Sequence, residues 1–216
     1  MSRRPGTEGR DLLVTAASRL FARDGIDATS IRAVNREAGL GPASVHYHFG
    51  TKENLIDAVL DAVGEEVVAD ILARAETLAG AAARPTARDV ITMITEPHVI
   101  LLRRHGARGL EWLKIVDQLF LFDRQRLWNE RAYQASIVAA QRAFPSADTD
   151  DVSNALSIAV KLFVGQMAKR EDPSPARPLP ATEDEIDFLV NFLSGGLARV
   201  LDPQGGPTPP IGLDQP

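Results

Sequence analysis

Between residues 42 and 52 the sequence concentrates side chains that can bind a nucleic acid. Hydroxyl, imidazole and amine groups donate hydrogen bonds to phosphate oxygens, while small apolar and hydroxyl side chains can contact base edges in a groove. The first residues of a helix are the ones that reach the bases when that helix enters the major groove. The residues that we assign to this chemistry are Pro42, Ala43, Ser44, His46, Tyr47, His48 and Lys52.

Different residues of this segment have different expected contacts. Ser44 can hydrogen-bond several bases, and Ala43 can contact a thymine methyl group. Tyr47 and His48 are predicted to contact phosphates, which set the register without reading sequence. Lys52 stands in the first turn of the following helix, where a cation opposes the helix dipole. A phosphate docked there would be stabilised both by the helix N-terminus and by the ammonium group.

The sequence does not predict a metal site or an enzyme. His46 and His48 lie two apart on a helix, about 200° around its axis, so their imidazoles diverge. Acidic groups at 148–151 and 183–185 each open a helix, and the helix dipole explains them more simply than acid–base catalysis does. There is no cysteine and no nucleophile elbow, P-loop or dinucleotide-binding turn. We predict no catalytic residue, no metal and no cofactor.

The elements that must position these residues are helices, and the predicted fold class is all-α. Apolar residues recur at helical spacing in nine segments, and no period-2 run predicts a strand. The second and third segments are short and joined by a Gly-containing turn, which is the geometry of a helix-turn-helix. Pro42 is predicted at the first position of the third helix, which runs to Phe49, because its missing N–H would be unpaired there anyway.

The later helices are marked by caps and breaks in the sequence. Thr86 and Thr182 open capping boxes for the fifth and the ninth helix. Pro97 is predicted to kink the fifth helix, and the seventh is predicted to run from about Arg124 to Phe144. No apolar run approaches the ~20 residues that a membrane span needs, and we expect a cytoplasmic protein.

The predicted domains are residues 1–53, residues 54–202 and a disordered tail at 203–216. Of the 216 residues, 44% are hydrophobic and 25% are charged, which is typical of a globular protein. Residues 1–53 hold eight basic and six acidic residues, a balance of +2, so the remaining chain carries −7 to give the net charge of −5. This asymmetry places the surface that favours anions at the N-terminal end.

The N-terminal region resembles the opening pattern of the TetR family of transcriptional regulators. The match covers about residues 10–60 and consists of these elements in order: Ala16-Ala17-x-x-Leu20-Phe21-x-x-x-Gly25, Ala28-Thr29-Ser30-Ile31-Arg32, Ala38-Gly39-Leu40 and Tyr47-His48-Phe49-x-x-Lys52-Glu53-x-Leu55. The resemblance implies a nine-helix architecture with a three-helix DNA-binding head. It also implies that Thr29, Ser30 and Arg32 lie against the DNA phosphate backbone.

The sequence departs from the family pattern at several positions. Gly41 and Pro42 stand where a Ser and a Lys are common. His46 occupies a usual Tyr position, and Asn35 replaces a usual Ala. Because fewer charged base-reading side chains remain, we expect operator preference to depend on apolar and hydroxyl contacts, with flanking Arg residues supplying affinity.

The resemblance further implies a ligand-responsive regulator, most simply a repressor. It would bind double-stranded palindromic operator DNA as a homodimer, and its two chains would contact each other through helices at about 148–170 and 182–201. A small-molecule effector would release the protein from DNA. Because helix-bundle interiors hold apolar pockets with few polar groups, we expect an apolar or aromatic effector. For any one candidate, a plain core position is the simpler interpretation. The candidate pocket residues are His98, Arg103, Trp112, Phe120 and Trp128.

Two other functions fit the same sequence. One is an architectural DNA binder that is indifferent to sequence, which the acidic remainder of the chain disfavours. The other is a helical small-molecule-binding protein or enzyme without a regulatory role. Activation in place of repression also stays open. Binding to the DNA upstream of the protein's own gene, reversed by a metabolite, would separate these functions.

Overall fold

The computed structural model describes residues 5–122, 129–169 and 182–202. In these stretches the chain forms nine α-helices and no strand, which confirms the predicted all-α class. None of these helices is long and apolar enough to cross a bilayer. The helices are α1 (Pro5–Asp24), α2 (Ile31–Glu37), α3 (Ser44–Phe49), α4 (Lys52–Gly80), α5 (Ala87–His105), α6 (Ala107–Phe122), α7 (Glu130–Ala143), α8 (Thr149–Ala168) and α9 (Glu183–Leu201).

Side-chain caps fix several of the helix starts that the sequence predicts. Thr86 and Thr182 each accept a hydrogen bond from the N–H three residues later. The side chains of Asp89 and Glu185 reach back to complete both predicted capping boxes. Asp148 caps α8 in a related way. Each cap satisfies an N–H group that the helix itself leaves without a partner, so these boundaries are local properties of the sequence.

The start of α3 differs from the prediction. The helix begins at Ser44 and not at Pro42, because Pro42 and Ala43 form a turn. In that turn the Ser44 N–H donates a hydrogen bond to the Gly41 carbonyl at 3.0 Å. Pro42 therefore acts as a turn residue, and the predicted role at the first helical position is wrong.

The start of α7 also differs from the prediction. The helix begins at Glu130 and not near Arg124, because the Asn129 side chain accepts a hydrogen bond from the Ala132 N–H and forms the N-cap. Residues 123–128 lie outside the described part of the chain, as does the predicted disordered tail at 203–216.

The buried apolar side chains form two clusters. The head cluster combines residues of α1–α3 and the start of α4, as far as Val59, with Ile115 and Leu119 of α6. The body cluster fills the space among α4–α9 and includes Trp112 and Val116 of the same α6. We use "head" and "body" for the helices around these clusters. Because α6 supplies side chains to both clusters, it joins the two cores directly. The domain boundary at residue 53 stays a prediction.

Candidate functional site

The helix-turn-helix exposes one face of α3 and buries the other. Val45 and Phe49, four residues apart, are buried in the head, as their spacing predicts. Tyr47 is 82% exposed, and His46 beside it is also exposed. Gly39 ends α2 with φ +68°, a left-handed conformation that glycine adopts without the penalty of a Cβ. The chain therefore turns sharply into α3, which packs its apolar side chains into the head and leaves its polar side chains on the opposite face.

The predicted base-contacting residues lie at the N-terminal end of this exposed face. Pro42 and Ala43 are exposed and Ser44 is half-buried. His48 is also half-buried, because it packs against α1, where a Cβ built on Gly9 would lie 3.1 Å from its Nε2 atom. His48 is therefore less available to an external partner than Tyr47 is.

The start of α2 contains one buried and two exposed candidate residues. Thr29 is 3% exposed, and its hydroxyl donates one bifurcated hydrogen bond, to the Gly25 carbonyl at 2.8 Å and the Leu20 carbonyl at 3.3 Å. Ser30 is exposed and forms the N-cap of α2, and Arg32 is exposed. The Thr29 side chain therefore holds the α1–α2 turn, which differs from its expected place against a phosphate.

Lys52 opens α4, as predicted, but its ammonium group has an internal partner. Its Nζ donates a hydrogen bond to the Ile26 carbonyl at 2.5 Å and lies 6.0 Å from the centre of the Phe21 ring. These contacts draw the cation towards the α1–α2 turn. An ammonium group has three donors, so binding to Ile26 leaves donor capacity for a phosphate.

Three of the candidate effector-binding residues line one cavity in the body. His98 from α5 and Trp112 and Phe120 from α6 surround a space of about 60 Å³. The other lining residues come from α4, α7, α8 and the N-cap of α7, and among the described residues they include no Asp, Glu, Lys or Arg. Ligand pockets usually have volumes of about 300–1,000 Å³, so this cavity is smaller than a typical ligand needs.

His98 is the unusual polar group of this cavity. It is 4% exposed, and within the described part of the chain its Nδ1 atom is buried without a hydrogen-bond partner. Burial lowers the pKa of His98 from 6.5 to about 4, and the Ile94 backbone opposes this shift only in part. The imidazole is therefore neutral near pH 7. A buried polar atom without a partner is energetically unfavourable, so a ligand that hydrogen-bonds Nδ1 would remove that cost.

Trp112 holds a fixed position between the cavity and α4. Its Nε1 donates a hydrogen bond to the Leu60 carbonyl at 2.9 Å, and its ring centre lies 6.1 Å from that of His98. The indole passes over Gly64, where an added Cβ would lie 2.8 Å from ring atoms of Trp112. Glycine is therefore needed at this position of α4 to let the indole approach.

Arg103 does not belong to the cavity. It is exposed near the end of α5 and forms an ion pair with Glu183 of α9. Its side chain faces α9 and is not among the described residues that line this cavity, so its role as an effector anchor stays a prediction without support from this geometry. Trp128 lies outside the described residues.

Gln118 of α6, which has no signal in the sequence, connects the body to the head. Its Oε1 accepts a hydrogen bond from the Ile26 N–H at 2.9 Å, and its Nε2 donates to the Phe21 carbonyl at 3.0 Å. Nearby, the Ser18 hydroxyl donates to Glu111 Oε2 at 2.9 Å. These partners are more than 90 residues apart in the chain, so helical periodicity contains no signal for them.

Helices α8 and α9 present an apolar face to solvent. Phe188, Phe192 and Val200 are each at least 65% exposed, and Ile158 and Leu162 are about half exposed. An apolar groove of about 260 Å³ runs between the two helices. Contiguous exposed apolar surface of this kind is typical of protein interfaces.

The helix-turn-helix region of this chain is similar in sequence to known regulatory proteins. Residues 13–59 match the family model described as "Bacterial regulatory proteins, tetR family". An HTH-type transcriptional repressor of Mycobacterium tuberculosis and an HTH-type transcriptional regulator of Mycobacterium bovis are each 37% identical over 93 residues, covering 35% of this chain and 50% of the relative. The chain spans about half the length of these curated relatives.

Solved structures extend the similarity to the whole fold. AmtR of Mycobacterium smegmatis has a TM-score of 0.56 at 21% identity, covering 97% of this chain and 100% of AmtR. The multidrug binding protein EbrR, solved with imidazole, has a TM-score of 0.54 at 19% identity, covering 94% and 97%. The TetR family model therefore matches the helix-turn-helix region of this chain, and the whole fold is similar to that of solved proteins described as TetR-family regulators.

Proposed function

We propose that this protein represses transcription by binding a palindromic operator as a homodimer, and that a small effector releases it. The observation that supports DNA recognition best is the two-sided α3. Its apolar side, Val45 and Phe49, is buried in the head, while Tyr47 is 82% exposed. A short helix that is held in place by buried side chains on one face can enter a major groove with its other face.

The proposed contacts fall into base-reading and phosphate-binding groups. Ala43 and Ser44, at the N-terminal end of α3, would contact base edges, and Pro42 and His46 flank them. Tyr47, Ser30 and Arg32 would bind phosphates, with His48 and Lys52 contributing from half-buried positions. Thr29 would act indirectly by holding the turn before α2. Phosphate contacts set position and affinity, whereas base contacts set sequence preference.

The proposed dimer uses the apolar face of α8 and α9. A second copy of this chain is the expected occupant, because a two-fold axis presents the same face from both partners. Two heads would then read two half-sites of a palindrome. A protein that stays monomeric at micromolar concentration would contradict this proposal.

The proposed effector is a neutral, largely apolar or aromatic molecule with one hydrogen-bonding group. Such a molecule would contact Trp112 and Phe120 and hydrogen-bond the neutral His98. Because the cavity holds only about 60 Å³, an effector would have to open it. Tryptophan fluorescence that does not change with a ligand that releases DNA would contradict this site.

The contacts of α6 offer a path from the cavity to the head. Trp112 and Phe120 line the cavity, while Gln118 on the same helix binds the backbone at Phe21 and Ile26. Opening the cavity would therefore move a helix that is bound to α1, alongside any movement of the long α4. A ligand releases DNA only if it binds more tightly to the state of the protein that does not bind DNA. A coupling free energy of about 1–3 kcal/mol between effector binding and DNA binding is sufficient.

Selection of duplexes from a random pool by the full-length protein tests the central proposal. We expect enrichment of a palindrome, with binding at least ~10³-fold tighter than to a scrambled duplex. Equal binding to all duplexes, with a steep dependence on salt, would instead support an architectural binder.

A further inference from the structure

Helix α3 cannot be stable on its own. It has only six residues and an N-cap, Ala43, whose side chain provides no capping hydrogen bond. Isolated helices shorter than about 12 residues are marginal in water, and the first N–H groups of a helix need partners from elsewhere. The position of α3 must therefore be set by groups on neighbouring helices.

Asn35 of α2 supplies the missing cap. It is 2% exposed, and its Oδ1 accepts a hydrogen bond from the Val45 N–H at 3.0 Å. Val45 is the second residue of α3, whose N–H an ordinary N-cap side chain would bind. The Asn35 Nδ2 donates to the Pro42 carbonyl at 2.7 Å. One side chain thus fixes both the last turn before α3 and the first turn of the helix.

Asn54 of α4 holds the opposite end of α3. Its Nδ2 donates a hydrogen bond to the Phe49 carbonyl at 2.7 Å, which lies at the last residue of the helix. Because the two amides come from α2 and α4, α3 is held at both ends by the helices on either side. The bases, however, would be read at the end that Asn35 holds.

We propose that Asn35 is a positioning residue for sequence recognition: it sets the angle of the start of α3 without touching DNA. This inference rests on the proposed DNA-binding function. Asn35 is buried, so it cannot contact a base. Its two bonds place Ala43 and Ser44, which lie between Pro42 and Val45. Asparagine at this position also compensates for Gly41-Pro42-Ala43, a turn without a capping side chain.

The test compares Asn35→Ala with Val34→Ala, a neighbouring buried position in α2. Both substitutions remove buried atoms from the head, but only the first removes the hydrogen bonds to α3. The measured quantity is the ratio of affinities for the duplex selected by the wild-type protein and for a scrambled duplex. We expect Asn35→Ala to lower this ratio about tenfold or more, which is the scale of a buried hydrogen bond. We expect Val34→Ala to change it by less than about twofold, because a loss of stability weakens binding to the selected and to the scrambled duplex alike.

Amide exchange provides a readout that is independent of DNA. In the wild-type protein the Val45 N–H should exchange slowly, and in Asn35→Ala it should exchange about tenfold faster than in Val34→Ala. If Asn35→Ala does not fold, rapid exchange of the Val45 N–H in the wild-type protein would still overturn the inference.

The outcomes separate this inference from the proposed function. An unchanged affinity ratio in Asn35→Ala, or an equal fall in Val34→Ala, would overturn the role of Asn35 alone. A wild-type protein that prefers no duplex would overturn the proposed function, and with it any role of Asn35 in recognition.

Discussion

The head and the body both depend on buried apolar side chains, but they differ at one buried polar group. The buried hydroxyls of Thr95, Ser136 and Ser194 in the body are hydrogen-bonded, as the buried polar groups of the head are. In the head, Asn35 and Thr29 are almost fully buried and their polar side-chain atoms are hydrogen-bonded. In the body, the Nδ1 atom of His98 is buried without a partner in the described part of the chain, beside a small cavity.

This difference matches two different tasks. A head whose buried polar groups are satisfied has one well-defined arrangement, as a surface that reads bases requires. A buried imidazole without a partner leaves free energy that a ligand can recover. The contrast agrees with the proposed function, in which the body changes when an effector binds and the head keeps its shape.

The largest expected effect concerns the pH dependence of stability through His98. Its pKa is about 4 in the folded protein and 6.5 ordinarily, so between these values the unfolded state binds more protons. The free energy of unfolding therefore falls as pH falls, by about 2 kcal/mol from this group between pH 7 and pH 5. Urea unfolding at both pH values measures the loss.

The substitution His98→Leu isolates that contribution. The variant should lose about 2 kcal/mol less than the wild-type protein between pH 7 and pH 5, because leucine does not titrate. A matched variant at the exposed His46, His46→Ala, should keep the wild-type loss. Identical pH dependence in His98→Leu and the wild-type protein would contradict the buried, neutral imidazole.

A smaller effect is expected at Gly64, which makes room for Trp112 in the body. Gly64→Ala places a methyl group 2.8 Å from the indole, and we expect it to lower the free energy of unfolding by about 1–2 kcal/mol. Gly80→Ala is the matched control in the same helix, because nothing lies within 4 Å of its added Cβ. Chemical denaturation measures both, and equal values for the two variants would show that the indole is not closely packed there.

The smallest effect is expected where the two regions join. Gln118→Ala leaves the Ile26 N–H without its side-chain partner, and we expect a loss of about 1 kcal/mol. Hydrogen exchange should accelerate at Ile26 but not in α8. Gln134→Ala, an exposed glutamine on α7, should change neither. Unchanged exchange at Ile26 would mean that α6 does not hold the head.

The sequence predicts the local features of this molecule well. The capping boxes at Thr86 and Thr182 and the burial of Val45 and Phe49 follow from residues a few positions apart. His98, Trp112 and Phe120 were also predicted to share a pocket, and they line one cavity. Whether that cavity binds an effector stays a prediction.

The features that could not be predicted depend on distant contacts. The sequence predicts that Arg103 anchors an effector in the pocket. In the structure Arg103 lies at the surface and binds Glu183, which is 80 residues away in the chain. Gln118 has no local signal, since its partners lie on α1 and the following turn. Asn35 did have a signal, because it departs from the family pattern, but the hydrogen bonds of its amide with Pro42 and Val45 could not be predicted from that signal.

The most direct test of base reading by α3 is a second duplex selection with Ser44→Ala. We expect the folded variant to enrich a half-site that differs from the wild-type half-site at one or two positions, because the hydroxyl at the start of α3 is lost. The spacing between half-sites should stay the same, since the dimer sets it. Enrichment of the identical half-site by a fully folded Ser44→Ala protein would contradict recognition through this end of α3.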